Sequence, residues 1–314
     1  MRTAFIRTLV QLAERERRIT LITGDLGFGV VEEFARRFPQ QFLNAGVAEQ
    51  NMTGVAAGMA LSGRIVFTYS IANFPTIRCL EQIRNDVCYH NANVKVVAVG
   101  GGFSYGSLGM SHHATEDLAL LRALPNMTVI APGDPAETDA AVKAVVGRRG
   151  PCYLRLGRAG EPAVHTTPFR YEVGRALLLL DGPDLTLMST GGMLQTTVAV
   201  AARLAKEGVR ARVLSMHTLK PLDTDAVTAA AQETRGIMTI EEHSIQGGLG
   251  GAVAEVLAEA GSPVPFKRIG VTSPFSSQTG SQQYLRELHG LSEDRIYDAV
   301  RLFLDRLQVT SEIA

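Results

Sequence analysis

Short apolar runs alternate with longer stretches of helical period along most of this chain. Ile19 to Thr23, Ile65 to Tyr69, Val94 to Val99, Met127 to Ile130 and Cys152 to Leu156 are too short for helices. They are also too uniformly apolar for strands with one wet face, so they read as strands covered on both sides. Between them, Thr3 to Arg17, Val31 to Phe38, Cys79 to His90 and Ala136 to Val146 read as helices, the second stopped by Pro39. This alternation predicts a parallel sheet with helices on each face. One junction stands out. Phe42-Leu43-Asn44 reads as a short strand ending in Ala45-Gly46, and a helix rich in Ala and Gly begins near Ala48. Glu49 then lies in the first helical turn, where the macrodipole favours a carboxylate. Ala56, Ala57, Gly58 and Ala60 give that helix faces that permit close approach.

The pattern breaks between Ala159 and Tyr171, where Gly160, Pro162, Thr166, Thr167 and Pro168 interrupt any period, and a linker is expected there. Beyond it, Leu185 to Ser189, Arg210 to Ser215, Gly236 to Ile240 and Pro265 to Ile269 read as strands. Met193 to Glu207, Thr224 to Glu233, Gly251 to Ala260 and Asp294 to Leu307 read as helices. The expected fold class is α/β, with two doubly wound domains of mainly parallel sheet at residues 1–160 and 171–314.

Composition narrows the partners. Lys plus Arg and Asp plus Glu each number 31, a balance that argues against nucleic acid or an anionic membrane. The N-terminus has no signal-peptide apolar region, and no apolar run reaches transmembrane length. Cys79, Cys88 and Cys152 are odd in number and lack CxxC spacing, which fits a reducing, cytoplasmic setting.

Taken alone, the chemistry-bearing residues are ambiguous. Glu49 reads first as a solvated or capping carboxylate. Asp25 and Leu26 follow the first strand, and Asp25 reads equally as a helix cap. Phe74 and Tyr69 lie after or within a strand, at the edge where α/β sheets bind ligands, or are core aromatics. Arg78 either faces that edge or makes a surface salt bridge. His112 and His113 follow the loop Gly100 to Gly109; adjacent histidines rarely face one ion, and no metal ligand is expected in this chain.

The run Gly46-Val47-Ala48-Glu49-Gln50-Asn51 resembles the pyrimidine-binding signature of the transketolase family. Further resemblance lies at Gly24-Asp25-Leu26, Ser111-His112-His113, Leu121 to Met127 and Pro151 to Arg158. In the second half it continues at Thr190-Gly191, Leu219 to Asp223 and Glu241-Glu242-His243. The resemblance implies thiamine diphosphate as cofactor. Glu49 would hold the aminopyrimidine nitrogen and favour the imino tautomer that deprotonates the thiazolium. It implies Phe74, then Tyr69, as the stacking aromatic, and Asp25 and Leu26 as neighbours of the cofactor. His112 would reach the substrate oxygens, with His113 beside it where glutamine is more usual, and Arg158 would hold an acceptor phosphate or carboxylate. Glu241, Glu242 and His243 resemble a sheet-edge and dimer region.

The chain departs from the sugar-phosphate members at three positions: Gly29 for a serine, Gly100 for a histidine and Leu108 for an acidic residue. It also has no Gly-Asp-Gly followed by Asn, the motif that holds the diphosphate and its ion. The resemblance therefore implies the C-terminal subunit of a split transketolase. A partner N-terminal subunit would carry the cofactor's diphosphate and Mg²⁺ or Ca²⁺, in an α2β2 assembly with self-association. The expected reaction moves a two-carbon ketol or acyl unit from a ketose-like donor to an aldehyde. Rivals are a 1-deoxyxylulose-5-phosphate-synthase-like subunit, a 2-oxoacid dehydrogenase E1 β subunit and a non-catalytic scaffold. A Rossmann dehydrogenase fits poorly, because the glycines after Thr23 have the wrong spacing.

Overall fold

The computed structural model describes residues 1–158, 160–272 and 275–313, and for 308–313 the backbone alone. Ala159, the expected start of the linker, and Ala314, the expected end of the second domain, lie outside the described residues. The first half contains α1 (Arg2–Ala13), β1 (Ile19–Thr23), α2 (Glu32–Arg37), β2 (Phe42–Asn44), α3 (Glu49–Leu61), β3 (Ile65–Ile71), α4 (Leu80–Gln82) and β4 (Val94–Val99). It continues through α5 (Asp117–Ala123), β5 (Thr128–Ile130), α6 (Pro135–Gly147) and β6 (Cys152–Leu156). The second half contains β7 (Leu177–Leu180), β8 (Leu185–Ser189), α7 (Leu194–Ala205), β9 (Ala211–Ser215), β10 (Thr218–Lys220) and α8 (Thr224–Glu233). It ends with β11 (Ile237–Ser244), α9 (Leu249–Glu259), β12 (Phe266–Val271), α10 (Gln282–Leu288) and α11 (Glu293–Ile313).

Two sheets result, ordered β10-β5-β6-β4-β3-β1-β2 and β12-β11-β8-β9-β7. Every pairing is parallel except β10 with β5 and β7 with β9, both at sheet ends. Strands β1, β4, β6 and β8 are buried at every position, as their mostly apolar runs predict, and Lys95 of β4 and Arg155 of β6 are buried with them. The helix expected over Thr3 to Arg17 stops at Ala13. The one expected over Cys79 to His90 is a 3₁₀ turn, the short α4 and then a π-helix over Ile83–Cys88.

The halves are stitched together. Strand β10 comes from the second half yet extends the first sheet, and Lys220 Nζ donates to the carbonyls of Arg122 at 2.9 Å and Leu124 at 2.6 Å. A buried ionic seam lies between the sheets. Arg155 Nε donates to Asp117 Oδ2 at 2.8 Å, its Nη2 reaches the carbonyls of Ala114 and Glu242, and Tyr153 donates to the same Asp117 oxygen. Glu242 accepts from Phe103 N–H, Gln282 and Arg286. Glu241 accepts the N–H groups of Leu249 and Gly250 and so caps α9. Burial pushes its carboxyl up to about 7, against the pull of those two donors. His243 donates from Nδ1 to the Ser244 carbonyl at 2.7 Å and accepts the Ala119 N–H at Nε2, and burial holds it down at about 4. The sheet-edge expectation for Glu241 to His243 is therefore corrected. Their strand lies between β8 and β12, and all three side chains are buried.

Candidate active site

Strands β2, β1 and β3 are parallel neighbours, so their carboxyl ends open on the same side. Asn44, at the end of β2, knots that edge: its Oδ1 accepts the N–H groups of Asp25 (3.1 Å) and Gly46 (3.0 Å), and its Nδ2 donates to Asp25 Oδ1 at 2.9 Å. Gly46 adopts φ +71°, a conformation glycine takes without strain, and the chain turns there into α3. Glu49 is the first residue of α3, and it is 2% exposed.

Arg78 meets it. Nη1 of Arg78 donates to Glu49 Oε2 at 2.8 Å, although the Arg78 side chain is 46% exposed. The same guanidinium lies over the Phe74 ring, 4.5 Å from its centroid. The edge of the His112 ring meets Phe74 with centroids 5.1 Å apart. Asn73 Nδ2 donates to the carbonyls of Ser111, at 3.0 Å, and His113, which fixes the Phe74 segment against the histidine turn. Burial and the neighbouring His113 hold the His112 imidazole below its ordinary value, so it is neutral at pH 7. His113 is buried, with Nε2 3.3 Å from the Gly106 carbonyl and its ring packed edgewise with Phe103. A cavity of about 590 Å³ is lined by Phe74, Arg78, Phe103, Met110 and His113 among others.

The structure thus brings Glu49, Phe74 and His112 together through Arg78 and Asn73, and it does not bring every candidate with them. Tyr69 is corrected: it is 1% exposed and stacks on Phe5 of α1, centroids 5.7 Å apart, on the side of β3 away from Glu49. Burial pushes its phenol up, and it offers no face to a ligand. Leu26 is half-buried against the same apolar cluster as Tyr69, whereas Asp25 is exposed beside Asn44. Arg158 is exposed, 5.3 Å above the Tyr105 ring, and lines a different cavity. Gly100 has φ +92°, and a Cβ there would lie 2.2 Å from Tyr105, so that ring fills the space beside it. Gly58, read as a close-packing position, is exposed with open space above it. Asn73 and Ser70 were invisible to motif reading. The alternation of β3 is a signal for Ser70 alone, which faces the Glu49 side opposite Tyr69; Asn73 lies in the turn beyond the strand.

Among the described residues no group of three or more His, Cys, Asp or Glu is placed to hold a metal ion, and no helix is long and apolar enough to cross a membrane. Residues 1–160 match the family model for the transketolase pyrimidine-binding domain, and 174–296 match that for the transketolase C-terminal domain. The chain is 41% identical over 272 residues to one subunit of the apulose-4-phosphate transketolase of Phocaeicola vulgatus, covering 86% of each chain. It is 38% identical over 299 residues to a putative transketolase C-terminal section of Methanocaldococcus jannaschii, covering 94% of this chain and 93% of that one. A solved split-gene transketolase, described as an inactive β4 tetramer, superimposes with a TM-score of 0.87 at 41% identity over 97% of both chains.

Proposed function

The chain belongs to the transketolase family, as its separately encoded pyrimidine-binding and C-terminal part, and from that premise we propose the division of labour at its site. A two-carbon ketol or acyl unit passes from a ketose-like donor to an aldehyde with thiamine diphosphate, in an assembly that a partner subunit completes. The observation that carries this reading is the buried Glu49 carboxylate beside the half-exposed Phe74 ring and His112.

The residues present fit an aminopyrimidine. A Cβ at Gly24 would stand 3.4 Å from Glu49 Cγ and 3.6 Å from Ser70 Oγ, so glycine keeps the approach to the carboxylate clear. Ser70 Oγ is buried with no partner, a polar atom that a ring amine or nitrogen would satisfy. When bound, thiamine diphosphate supplies the carbanion chemistry that no amino-acid side chain offers. Glu49, 2% exposed, holds a proton at Oε1 or Oε2 toward the ring nitrogen. Phe74 orients the ring by stacking, and Arg78 moves off the carboxylate to admit it. His112, neutral near pH 7, takes or gives a proton at the substrate oxygens.

On this reading the diphosphate and its Mg²⁺ or Ca²⁺ belong to the partner. The Phocaeicola vulgatus relative, named as one subunit of a transketolase, and the β4 tetramer described as inactive support a need for that partner. Co-purifying this chain with a Gly-Asp-Gly-bearing chain tests the reading. The pair is expected to form α2β2 and to consume a ketose without releasing CO₂, whereas the lone chain stays inactive. CO₂ release from pyruvate would instead identify the synthase-like reaction. Turnover by the lone chain would overturn the split-site reading.

A further inference from the structure

The turn that carries His112 is gripped from the second sheet. We propose that Glu242 is a positioning residue for His112, its buried carboxylate fixing the turn that presents the imidazole to the substrate. The inference rests on the role given to His112 above and extends it to a residue on β11.

The loop after β4 closes at its base, where Gly102 and Ala114 each donate an N–H to the other's carbonyl at 2.9 Å. The Glu242 carboxylate lies against that base. Gly102 has φ +64°, and a Cβ there would stand 2.6 Å from Glu242 Cδ, so glycine is what lets the carboxylate in this close. Phe103, the first residue past the base, donates its N–H to Glu242 Oε1 at 3.0 Å. Phe103 is 1% exposed, so without that acceptor its N–H would be buried and unpaired.

From Phe103 the constraint passes to the histidines by backbone and by ring. The Phe103 carbonyl accepts the Gly106 N–H at 2.8 Å, and the Gly106 carbonyl accepts from His113 Nε2 at 3.3 Å. The Phe103 ring meets the His113 ring edgewise, centroids 5.2 Å apart. His112 ends the 3₁₀ turn Met110–His112, and the N–H groups of His112 and His113 return to the carbonyls of Gly109 and Met110. A shift of His113 therefore carries His112 with it. Asn73 holds the turn from the side of Phe74, and Glu242 holds it from the side of the second sheet.

Glu242 is itself fixed by α10. Gln282 Nε2 donates to Oε1 at 3.0 Å and to Oε2 at 2.9 Å, and it reaches Ser104 Oγ of the same loop at 3.3 Å. Arg286 Nη2 donates to Oε2 at 2.7 Å. A buried ion pair of this kind would also serve as a plain joint. What sets Glu242 apart is Oε1, which reaches the loop while Oε2 reaches the arginine.

Glu242→Ala and Glu242→Gln separate the two roles in the full chain. Both remove the charge opposite Arg286, and only glutamine keeps an oxygen for the Phe103 N–H. Burial, with His113 beside it, makes His112 titrate below its ordinary value of 6.5 in the parent, and NMR follows that midpoint. Glu242→Ala should release the turn and raise the midpoint toward 6.5, while His243 in the seam stays at about 4. Glu242→Gln should leave both as in the parent. In the reconstituted complex, Glu242→Ala should lower kcat at least about tenfold with little change in the donor KM, because a proton-transferring group is misplaced. Glutamine should recover most of that loss. An unmoved His112 midpoint, a His243 midpoint rising with it, or a glutamine variant as impaired as alanine would each overturn the positioning role. Full kcat in Glu242→Ala would overturn it equally. A parent complex without turnover would count against the split-site reading instead, with the His112 midpoint still deciding the role of Glu242.

Discussion

The molecule holds two kinds of carboxylate–arginine pair. At the sheet edge, buried Glu49 is matched by Arg78, which is 46% exposed and rests on an aromatic face beside a cavity. In the seam, Asp117 and Arg155 are 0% and 4% exposed, and Tyr153, Ala114 and Glu242 occupy further valences of the pair. Both pairs solve the same problem, a buried charge that needs a counter-charge. Only the first leaves its arginine free to move. A solvent-exposed partner on a buried acid is what ligand exchange at the proposed site requires; a buried one bonded on several sides suits a joint.

The largest test of this contrast removes the seam arginine. Arg155→Met strands the Asp117 carboxylate in the interior, and denaturant unfolding should show a loss of about 3–5 kcal/mol. Adding Asp117→Asn should restore part of it, because the stranded charge is then gone. An Arg155→Met protein as stable as the parent would mean that the seam pair holds nothing together.

Next in size is Glu49→Gln. The side chain keeps its shape and its contact to Arg78 but can no longer hold or release a proton. Turnover of the reconstituted complex should fall at least about 10²-fold, with unfolding changed by no more than about 1 kcal/mol. A variant with full activity would return Glu49 to the status of a helix-start carboxylate.

Arg78→Ala should be milder in stability than its seam counterpart. Arg78 is itself 46% exposed, so solvent screens the pair and can take the vacated place beside Glu49, and the expected loss is about 1 kcal/mol. The informative readout is cofactor affinity in the complex. If Arg78 occupies the aminopyrimidine face, its removal tightens thiamine diphosphate binding; if it instead orients Glu49 for the ring, binding weakens. An unchanged affinity would separate Arg78 from the site.

How much of this was legible in the sequence depends on the range of the forces involved. Strands such as β4 and β8 match their expected bounds from end to end because burial on both faces keeps them mostly apolar, with Lys95, Thr186 and Ser189 the buried exceptions. Strand β10 was illegible: its three residues pair antiparallel with β5, a contact made across the whole intervening chain. The π-helix over Ile83–Cys88 differs from an α-helix in hydrogen-bond register, which side-chain pattern does not record. The seam was missed for a related reason: Asp117 and Arg155 meet from 38 residues apart, and Glu242 and His243 join them only when the two sheets dock. Tyr69 is the opposite case, a misreading that the sequence itself could correct. Residues two apart on a strand share a face, and Phe67 and Tyr69 both meet Phe5. Ser70, one residue on, turns to Glu49 instead.

The smallest effect is carried by the histidines of the two regions, and one NMR pH titration reads both. Burial lowers His112 and His243 alike, the second to about 4. For each, the unfolded chain binds its proton more readily than the fold does. The stability each contributes is therefore complete above the unfolded value, near 6.5, and is lost as pH falls toward the folded one. Glu241, raised to about 7, runs the other way, and its contribution is lost as pH rises from its ordinary carboxyl range through 7. In the seam these opposed dependences overlap between about pH 4.5 and 6.5 and largely offset. His243→Gln should unmask Glu241, giving a protein whose stability falls with rising pH across that window. His112 faces no such counterweight, and His113→Gln should move its midpoint back up by removing the like charge beside it. A His243 resonance titrating together with His112 would mean that water reaches the seam as readily as the sheet edge, and the distinction between joint and exchange site would fail.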